Sequence, residues 1–470
     1  STQSRSSAAS DVYKRQGQTD DPWLEAAFPQ LDAQRFLQRN QGFDRVLYQA
    51  GCSDFHTFQY RDLLPVHPGV TVLHDAFLSN LWNWLAHHQG RPGDFLAHLY
   101  HSHGYPALHY EARHGRDEAV RQYPCCLNVL DQSLSLIQHS EYGRTILAMH
   151  FGAGVRDRIR IIPHLAHARV RPEREAARKA LGIGPGEFLV CSFGIVSPAK
   201  MPGRVLEAWS SVAGGNGRLV FVGAVAGEPE GFALRNGERE GDVTVTGRVG
   251  QEEYDQWLAA ADMAIQLRRD SRGETSGAIT DCLCFGVPLI VNRHGTATEL
   301  PDDCVWKLPE QCTTEALGEA IGLLRDDAER RHALARAGKA YTEQRLRPAR
   351  IAQEYHAAIE ASYAKQQLPS LAGASLGLAR LRAAPWPGEE ELSAVSQSLE
   401  ASFRPAAPRR RLLVDMSEMA RFDARSGIQR VVREVSNRLL ASSGNYGRVE
   451  AVRFDGGGLR HAHEAATRVL

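Results

Sequence analysis

Short apolar runs alternate with helix-like segments from about residue 45 to 365, and this alternation limits the folds available to the chain. Continuous apolar runs of strand length, separated by segments with helical spacing, are typical of parallel sheets covered by helices on both faces. We therefore expect an α/β fold. The runs that fit buried strands are 45–49, 70–73, 136–139, 159–163, 188–193, 219–223, 243–246, 263–266 and 288–292.

The pattern divides the chain into successive parts. One sheet is expected to end near residue 165 and a second to start near 187, with a polar joint and a helix at 166–187. Residues 1–16 are polar and aperiodic, and they resemble a translated adapter remnant or a disordered tail. The predicted parts are this tail, a partial domain at 17–165, a second domain at 166–347, a helix at 348–365, a linker rich in Ala, Pro, Ser and Leu at 366–408, and a new domain starting at 409–470.

Bulk properties exclude several classes of protein. Lysine and arginine together number 55, as do aspartate and glutamate, so no electrostatic footprint for nucleic acid exists. The 8 cysteines fit neither a zinc site nor a disulfide framework, and we expect reduced thiols of a cytoplasmic protein. No apolar run approaches the roughly 18 residues that a membrane-spanning helix needs, and no signal peptide is visible.

The loop between the predicted strand 263–266 and the helix that follows has the composition of a phosphate site. Backbone N–H groups at a helix N-terminus carry positive partial charge, and Gly277 lets a phosphate approach closely. Three arginines in the loop could add charge. The alternative is an ordinary capped helix with Ser276 as the N-cap. The arginines are Arg268, Arg269 and Arg272.

Two other strand ends carry candidate side chains. Lys200 lies six residues after Gly194, so it can reach back over the carboxyl edge of the sheet, where open α/β sheets bind ligands. His74 is followed by Asp75, a carboxylate that could orient the imidazole toward an acceptor hydroxyl. A solvated lysine and a satisfied histidine are the alternatives. His139 follows a third predicted strand as a weaker case of the same kind.

These segments together resemble the retaining, nucleotide-sugar-dependent glycosyltransferases of the GT-B fold, family four. The resemblance rests on Gly-x-x-x-x-x-Lys, Val-Thr-Val-Thr-Gly-Arg-Val at 243–249, Tyr254 to Asp262, Gly-Glu-Thr-Ser-Gly and Gly-Val-Pro, in this order. It covers about 45–365 and is strongest over 185–300. It implies two Rossmann-like domains with parallel sheets and a cleft between them, plus the start of a further similar domain.

The resemblance also implies roles for single residues. Glu274 would lie by the transferred sugar and His74 near the reacting centre. The donor would be bound by groups on several loops: Gly194 and Lys200 at the diphosphate, the amides of Ser276 and Gly277 at phosphate, the backbone near Val249 at the base, and Asp281 at the ribose hydroxyls.

Two departures from the family pattern affect these roles. Glu274 and Asp281 are separated by six residues, one fewer than in the family, and the second acid is an aspartate. Ile195 stands where the family usually has an arginine, and Arg268 is the candidate replacement because it leaves the neighbouring strand at the same sheet edge.

The predicted function is transfer of a hexose from a nucleotide-diphosphate sugar to a glycan or lipid-linked glycan hydroxyl, with retention. No Asp-x-Asp motif ends a strand, so we expect neither a metal nor another cofactor. The segment 409–470 resembles the start of a second such enzyme, as in tandem enzymes of bacterial surface polysaccharide and lipopolysaccharide synthesis. A cytoplasmic location is expected, and association with the inner membrane surface stays open.

Two rival functions and one further expectation remain at this stage. The rivals are an inactive nucleotide-sugar-binding scaffold and a sugar-nucleotide epimerase of the same fold. No strand and glycine loop like those of 411–433 precede residue 45, so the chain is expected to be a fragment. Such a fragment would be inactive, would leave the sheet face of its terminal module uncovered, and would aggregate or bind hydrophobic dye.

Overall fold

The computed structural model describes most of the chain between residues 43 and 469. The predicted tail at 1–16 and most of the predicted linker at 366–408 lie outside the described residues. The described residues are 26–27, 36, 43–166, 169–212, 216–366, 388–402, 411–422, 426–442, 448–454 and 458–469.

Strands form at each position where the apolar runs predict them, with ends that shift by one or two residues. Four strands, β7, β11, β13 and β14, were not predicted. The strands are β1 (Leu47–Ala50), β2 (Val70–Leu73), β3 (Ser135–Gln138), β4 (Ile159–Ile161), β5 (Phe188–Phe193), β6 (Gly217–Val222), β7 (Arg239–Glu240), β8 (Val243–Val245), β9 (Met263–Gln266), β10 (Leu289–Asn292), β11 (Trp306–Leu308), β12 (Arg411–Asp415), β13 (Arg448–Phe454) and β14 (Leu459–His461).

Helices occupy most of the intervals between the strands. The described helices are α1 (Ser79–His88), α2 (Gly93–His103), α3 (Tyr105–His114), α4 (Arg116–Gln122), α5 (Leu127–Gln132), α6 (Glu141–Phe151), α7 (Ala153–Arg156), α8 (Arg174–Ala180), α9 (Pro202–Val212), α10 (Gln251–Ala260), α11 (Gly277–Phe285), α12 (Thr314–Asp326), α13 (Ala328–Arg345), α14 (Pro348–Gln366), α15 (Glu389–Ser402), α16 (Ser417–Arg421), α17 (Gly427–Ala441) and α18 (His463–Val469).

The largest sheet has seven strands in the order β11-β10-β9-β5-β6-β8-β7. Its strands pair in parallel except β7, which runs antiparallel to β8. The chain leaves β5 toward β6 on one side and leaves β9 toward β10 on the other. The order therefore reverses between β5 and β9, and the crevice at such a switch point is where open α/β sheets bind ligands.

Alternation along the central strands explains why both faces of this sheet are covered. Leu189, Cys191 and Phe193 of β5 belong to one buried apolar cluster, whereas Val190 belongs to the cluster on the other face. Successive side chains of a strand point to opposite faces. A continuous apolar run therefore requires a helical layer on each side.

The other two sheets are smaller. A four-stranded sheet has the order β1-β2-β3-β4, in which β1 and β2 are parallel. A three-stranded sheet has the order β12-β13-β14, with β12 parallel and β14 antiparallel to β13.

Backbone contacts divide the chain into two compact units, which are described separately below. The first unit comprises the described parts of Ser1–Leu136, Leu147–Arg158 and Ile359–Leu470, and the second comprises Ile137–Ile146 with Ile159–Ala358. The predicted domain bounds remain predictions.

The terminal sheet of the first unit shares a hydrophobic cluster with helix α3. Tyr105 is buried together with Val449 and Ala451 of β13 and with residues of α18. This face of the sheet is covered, and the expected open side of the terminal module stays a prediction. Leu413 of β12, by contrast, is 50% exposed, and a row of apolar side chains on α17 is also exposed: Ile428, Val431 and Val435.

Candidate functional site

Lys200 folds back over the end of β5, as its spacing predicts. It ends the short 3-10 turn Pro198–Lys200, and its Nζ donates a 2.5 Å hydrogen bond to the carbonyl oxygen of Phe193. Gly194 has φ +83°, and a Cβ at this position would lie 2.8 Å from the Lys200 Nζ. A glycine is needed here both for the left-handed backbone and for the returning lysine.

Arg268 leaves the adjacent strand β9 at the same edge and is held in place by Asn292. The Arg268 backbone N–H donates to Asn292 Oδ1 at 2.8 Å, and the Asn292 amide donates to the Arg268 carbonyl at 2.6 Å. The guanidinium donates to the carbonyl of Leu267 at 3.3 Å and to the Ser276 hydroxyl at 3.4 Å. The position of this cation is thus fixed by the fold.

Lys200 and Arg268 are partly buried cations at the same edge of the sheet. Burial, and then the charge of Arg268, lowers the pKa of Lys200 to about 7. Burial also lowers the pKa of Arg268, although Glu274 opposes this. Among the described residues neither side chain makes an ion pair, and their hydrogen bonds go to neutral oxygens. Two such cations at one sheet edge are the kind of groups that can bind an anion.

The N-terminus of α11 adjoins this cation pair. The Ser276 hydroxyl accepts from the backbone N–H of Ile279 at 3.4 Å, so Ser276 is the N-cap. A Cβ at Gly277 would meet nothing within 4 Å, which leaves space in front of the first turn. Ordinary capping and room for a phosphate therefore occur together here.

The Glu274 carboxylate is held against its own loop. It accepts a 2.6 Å hydrogen bond from the backbone N–H of Arg272 and lies 3.5 Å from the Ser271 hydroxyl. The Glu274 carbonyl accepts from Thr296 Oγ1 at 3.3 Å. These contacts fix the position of the acid within the loop.

Asp281 already has a partner that the sequence did not reveal. Arg169 donates to the Asp281 carboxylate and also, at 2.7 Å, to Asp255. The Arg169 guanidinium lies 5.9 Å from the ring of Tyr254 and 5.3 Å from that of Phe285. A ribose hydroxyl at Asp281 would have to share the carboxylate with Arg169. No periodicity or motif distinguishes Arg169 in the sequence.

Val249 lies between β8 and α10, directly before Gly250, which is the N-cap of α10. Its side chain packs against the buried cluster on one face of the large sheet. Its backbone role at a base, which the resemblance implies, stays a prediction.

His74 belongs to the first unit, whereas the donor-site candidates belong to the second. Its Nε2 lies 2.8 Å from Gln49 Oε1, and the Asp75 carboxylate accepts from the backbone N–H of Cys52 at 3.0 Å. A side-chain amide from the end of β1 therefore contacts the imidazole.

A pocket opens on another flank of α11, and we call it the flank pocket. Its empty volume is about 540 Å³, part of which is open solvent. The walls come from the ends of β3 and β4, the turn Gly295–Glu299, α11 and the end of α13. The lining includes His139, Ser140, His164, Thr275, Ser276, Thr280, Glu299 and Tyr341.

Two features are absent from the described part of the chain: a metal-binding cluster and a membrane-spanning helix. In that part, no group of three or more His, Cys, Asp or Glu is placed to hold a metal ion. No described helix combines the length and the apolar character needed to cross a bilayer.

Comparison with known proteins gives a family match for most of the seven-stranded sheet and a fold for the chain. Residues 173–341 match the family model for glycosyl transferases, group 1. HepE of Anabaena, in complex with UDP and glucose, has a TM-score of 0.50 at 13% identity, over 73% of this chain and 84% of that one. The α/β fold class with parallel-sheet Rossmann-like domains, as in GT-B glycosyltransferases, is confirmed.

Other matches have lower structural scores. Sucrose-phosphate synthase from Thermosynechococcus elongatus gives a TM-score of 0.49 at 15% identity, over 71% of this chain and 77% of that one. WaaG, a glycosyltransferase involved in lipopolysaccharide biosynthesis, gives 0.43 at 16% identity, over 66% and 76%. No curated protein sequence matches the chain.

Proposed function

We propose that this chain binds the diphosphate of a nucleotide sugar at the switch point between β5 and β9 and transfers the sugar to a glycan hydroxyl. The observation that carries the proposal is the pair of partly buried cations, Lys200 and Arg268, which donate to neutral oxygens and form no ion pair with a described acid. The match of 173–341 to group 1 glycosyl transferases supports a sugar nucleotide as the anion.

The pair of cations suits the charge that develops during transfer. When the bond between the anomeric carbon and the diphosphate breaks, negative charge accumulates on the leaving diphosphate. Lys200, Arg268 and the open N-terminus of α11 would stabilise it from fixed positions. Charge stabilisation by preorganised groups is usually the largest single contribution to such catalysis.

The remaining site roles belong to the same proposal. Glu274, held in the loop before α11, would lie by the transferred sugar, and the backbone near Val249 would meet the base. Asp281 would meet the ribose only beside Arg169, which already binds its carboxylate. His74 is proposed for the reacting centre on the resemblance alone.

The finer function rests on the resemblance in sequence. It comprises a family-four enzyme, retention, a hexose, and a glycan or lipid-linked glycan acceptor in bacterial surface polysaccharide synthesis. The proposed location is the cytoplasm or the inner membrane surface. The departures at Ile195 and at the spacing of Glu274 and Asp281 make the donor site the first part to test.

Calorimetric titration of the full chain with UDP, ADP, GDP and dTDP tests the donor site. We expect one nucleoside diphosphate to bind at least about tenfold tighter than its monophosphate, because the second phosphate adds charge and acceptor oxygens for the two cations. UDP is the first choice, since the HepE structure of this fold contains UDP and glucose. Equal binding of mono- and diphosphates would contradict the site.

Product analysis separates the proposed transferase from its rivals. Incubation with the bound nucleotide sugar and a glycan acceptor should give an elongated glycan whose new linkage keeps the anomeric configuration of the donor, as read by NMR. Binding without any product would indicate a scaffold. An epimerised nucleotide sugar would indicate an epimerase.

A further inference from the structure

Helix α15 exposes its apolar side chains to solvent. The side chains described between residues 390 and 398 are all exposed, and those of Leu392 and Val395 are 47% and 38% exposed. A helix of 14 residues is only marginally stable in water without packing contacts. At its N-terminus, the backbone N–H of Gly388 donates to Glu391 Oε2 at 3.0 Å, which contributes a single hydrogen bond. A partner that covers Leu392 and Val395 would stabilise the helix.

Helix α17 has an exposed apolar row of its own. Ile428, Val431 and Val435 are 79%, 62% and 50% exposed. Residues three and four positions apart are neighbours on a helix, so these three form one stripe. Val432 and Leu440, on a neighbouring side of the same helix, pack in the cluster shared with α3. The helix is thus anchored in the first unit while its exposed row faces solvent.

The two helices carry opposite charge. The sequence of α15 contains four glutamates and no lysine or arginine, whereas that of α17 contains three arginines and one glutamate. Arg438 of α17 pairs with Glu434 at 2.9 Å, and both side chains are largely exposed, so this pair contributes little by itself. A guanidinium has several N–H donors and can bind a second carboxylate. An acidic amphipathic helix is therefore the kind of partner that α17 fits.

The positions of the charges favour an antiparallel pairing. At about 3.6 residues per turn, Glu391 lies on one flank of the apolar row of α15, and Arg438 lies on the corresponding flank of the row of α17. Glu391 is at the N-terminal end of its row, whereas Arg438 follows the C-terminal end of its row. An antiparallel pair brings these two ends and flanks together. It also places the N-terminus of each helix beside the C-terminus of the other, which suits their dipoles.

The chain between the two helices permits this contact within one molecule. Eight residues, 403–410, separate α15 from β12 in the sequence, and a fully extended stretch of that length reaches at most about 28 Å. Strand β12 pairs with β13, which α17 contacts. A helix tethered so closely meets its partner at an effective concentration in the millimolar range.

We infer that α15 packs on α17 of the same chain as an antiparallel partner. Leu392 and Val395 cover the exposed row of α17, and Glu391 binds Arg438. This contact ties the stretch between α14 and β12 to the terminal sheet. It uses no residue of the donor site, so it is independent of the proposed function.

Hydrogen exchange of the full chain tests this contact. We expect the amides of α15 to exchange at least about tenfold more slowly than those of an unstructured peptide, because a packed helix must open before it exchanges. Val431→Asp places a charge in the apolar contact, so it should remove most of this protection while β13 stays protected. Leu459→Asp is the matched control, because it places the same charge at a 59% exposed residue of the same sheet, outside α17.

A charge exchange tests the antiparallel arrangement. Arg438→Glu should lower the protection of α15 by about two- to fivefold, the contribution of an exposed ion pair. In a Glu391→Arg background the same change should raise the protection, because the pair is then restored with its charges reversed. An effect of the same sign in both backgrounds overturns the pairing of Glu391 with Arg438.

The other outcomes concern the contact itself. Absence of protection in α15 of the parent chain, or equal loss of it in Val431→Asp and Leu459→Asp, overturns the inference. Protection that rises with protein concentration, together with a dimer in sedimentation, overturns the contact within one chain and assigns α15 to the α17 of a second copy.

Discussion

Two cationic clusters in this chain have opposite surroundings. In the first unit, Arg448 pairs with Glu450, a buried carboxylate that also accepts a 2.5 Å hydrogen bond from the Tyr100 hydroxyl. In the second unit, the hydrogen bonds of Lys200 and Arg268 within the described part of the chain go to neutral oxygens. A cation removed from water is stabilised by an acid nearby. The first cluster therefore contains its acid. In the second, Glu274 acts on Arg268 without forming an ion pair among the described residues, so an anionic ligand would add the missing charge.

This difference separates a structural cluster from a proposed binding site. Arg448 also lies 5.1 Å from the ring of Tyr100 and donates to the carbonyl of His101 at 3.1 Å, so it joins the terminal sheet to α2. Burial, and then the hydrogen bond to Glu450, raises the pKa of Tyr100 to about 12. The phenol thus stays a donor at neutral pH.

The largest effect is expected at the complete cluster. Glu450→Gln removes the acid and leaves Arg448 uncompensated, so the free energy of unfolding of the terminal sheet should fall by about 3 kcal/mol. Glu434→Gln, which breaks an exposed pair with Arg438, is the control and should cost less than about 0.5 kcal/mol. Hydrogen exchange of β13 in urea measures both. Equal effects would mean that Glu450 contributes no more than a surface acid.

The next effect is expected at the incomplete cluster, and it concerns binding. Lys200→Ala should weaken nucleoside diphosphate binding by about 1.5–3 kcal/mol, the contribution of a charge-assisted hydrogen bond, and leave the fold intact. Lys179→Ala, on α8, removes an exposed lysine as a control. Calorimetric titration with a nucleoside diphosphate measures the affinity of both variants. An affinity unchanged from that of the control would remove Lys200 from the site.

The low pKa of Lys200 gives the same cluster a pH dependence. A diphosphate favours the protonated amine, so affinity should be highest below about pH 7 and should fall by up to about tenfold per unit as pH rises through the pKa of about 7. Lys200→Arg should abolish this fall, because arginine stays charged. Titration with UDP-glucose between about pH 6 and 9 measures it. The same slope in both proteins would assign the dependence to another group.

The smallest effect is expected from removal of metal. If Lys200 and Arg268 neutralise the diphosphate, sugar transfer should continue at an unchanged rate in excess chelator. Loss of transfer that added manganese restores would show that a metal supplies the charge. Lys200 and Arg268 would then not be the groups that neutralise the diphosphate.

The fold was predictable from the sequence because the apolar runs that mark its strands are local. Buried parallel strands need continuous apolar runs, and β2, β5 and β9 begin and end where those runs do. The strands β7 and β11 escaped prediction because they lie at the edges of the sheet and are short. Their pairing depends on a neighbouring strand more than on their own residues.

The candidate site was predictable in part. The positions of Lys200 and Arg268 follow from strand ends and spacing, because the carboxyl ends of parallel strands meet at one edge. Arg169 pairs with Asp281, which is far away in sequence. Thr275 Oγ1 is buried without a hydrogen bond to any described residue. No local pattern encodes such a relation.

The sequence by itself determined the order of the elements, the parallel sheets and the strand ends that carry side chains, because periodicity and turn residues act over a few neighbours. The tertiary structure alone decided which charges have partners. Glu450 meets Arg448 and Tyr100, Asp281 meets Arg169, and Lys200 meets no acid among the described residues. The physical reason is that charge compensation depends on distance in space, which packing sets after the chain has folded.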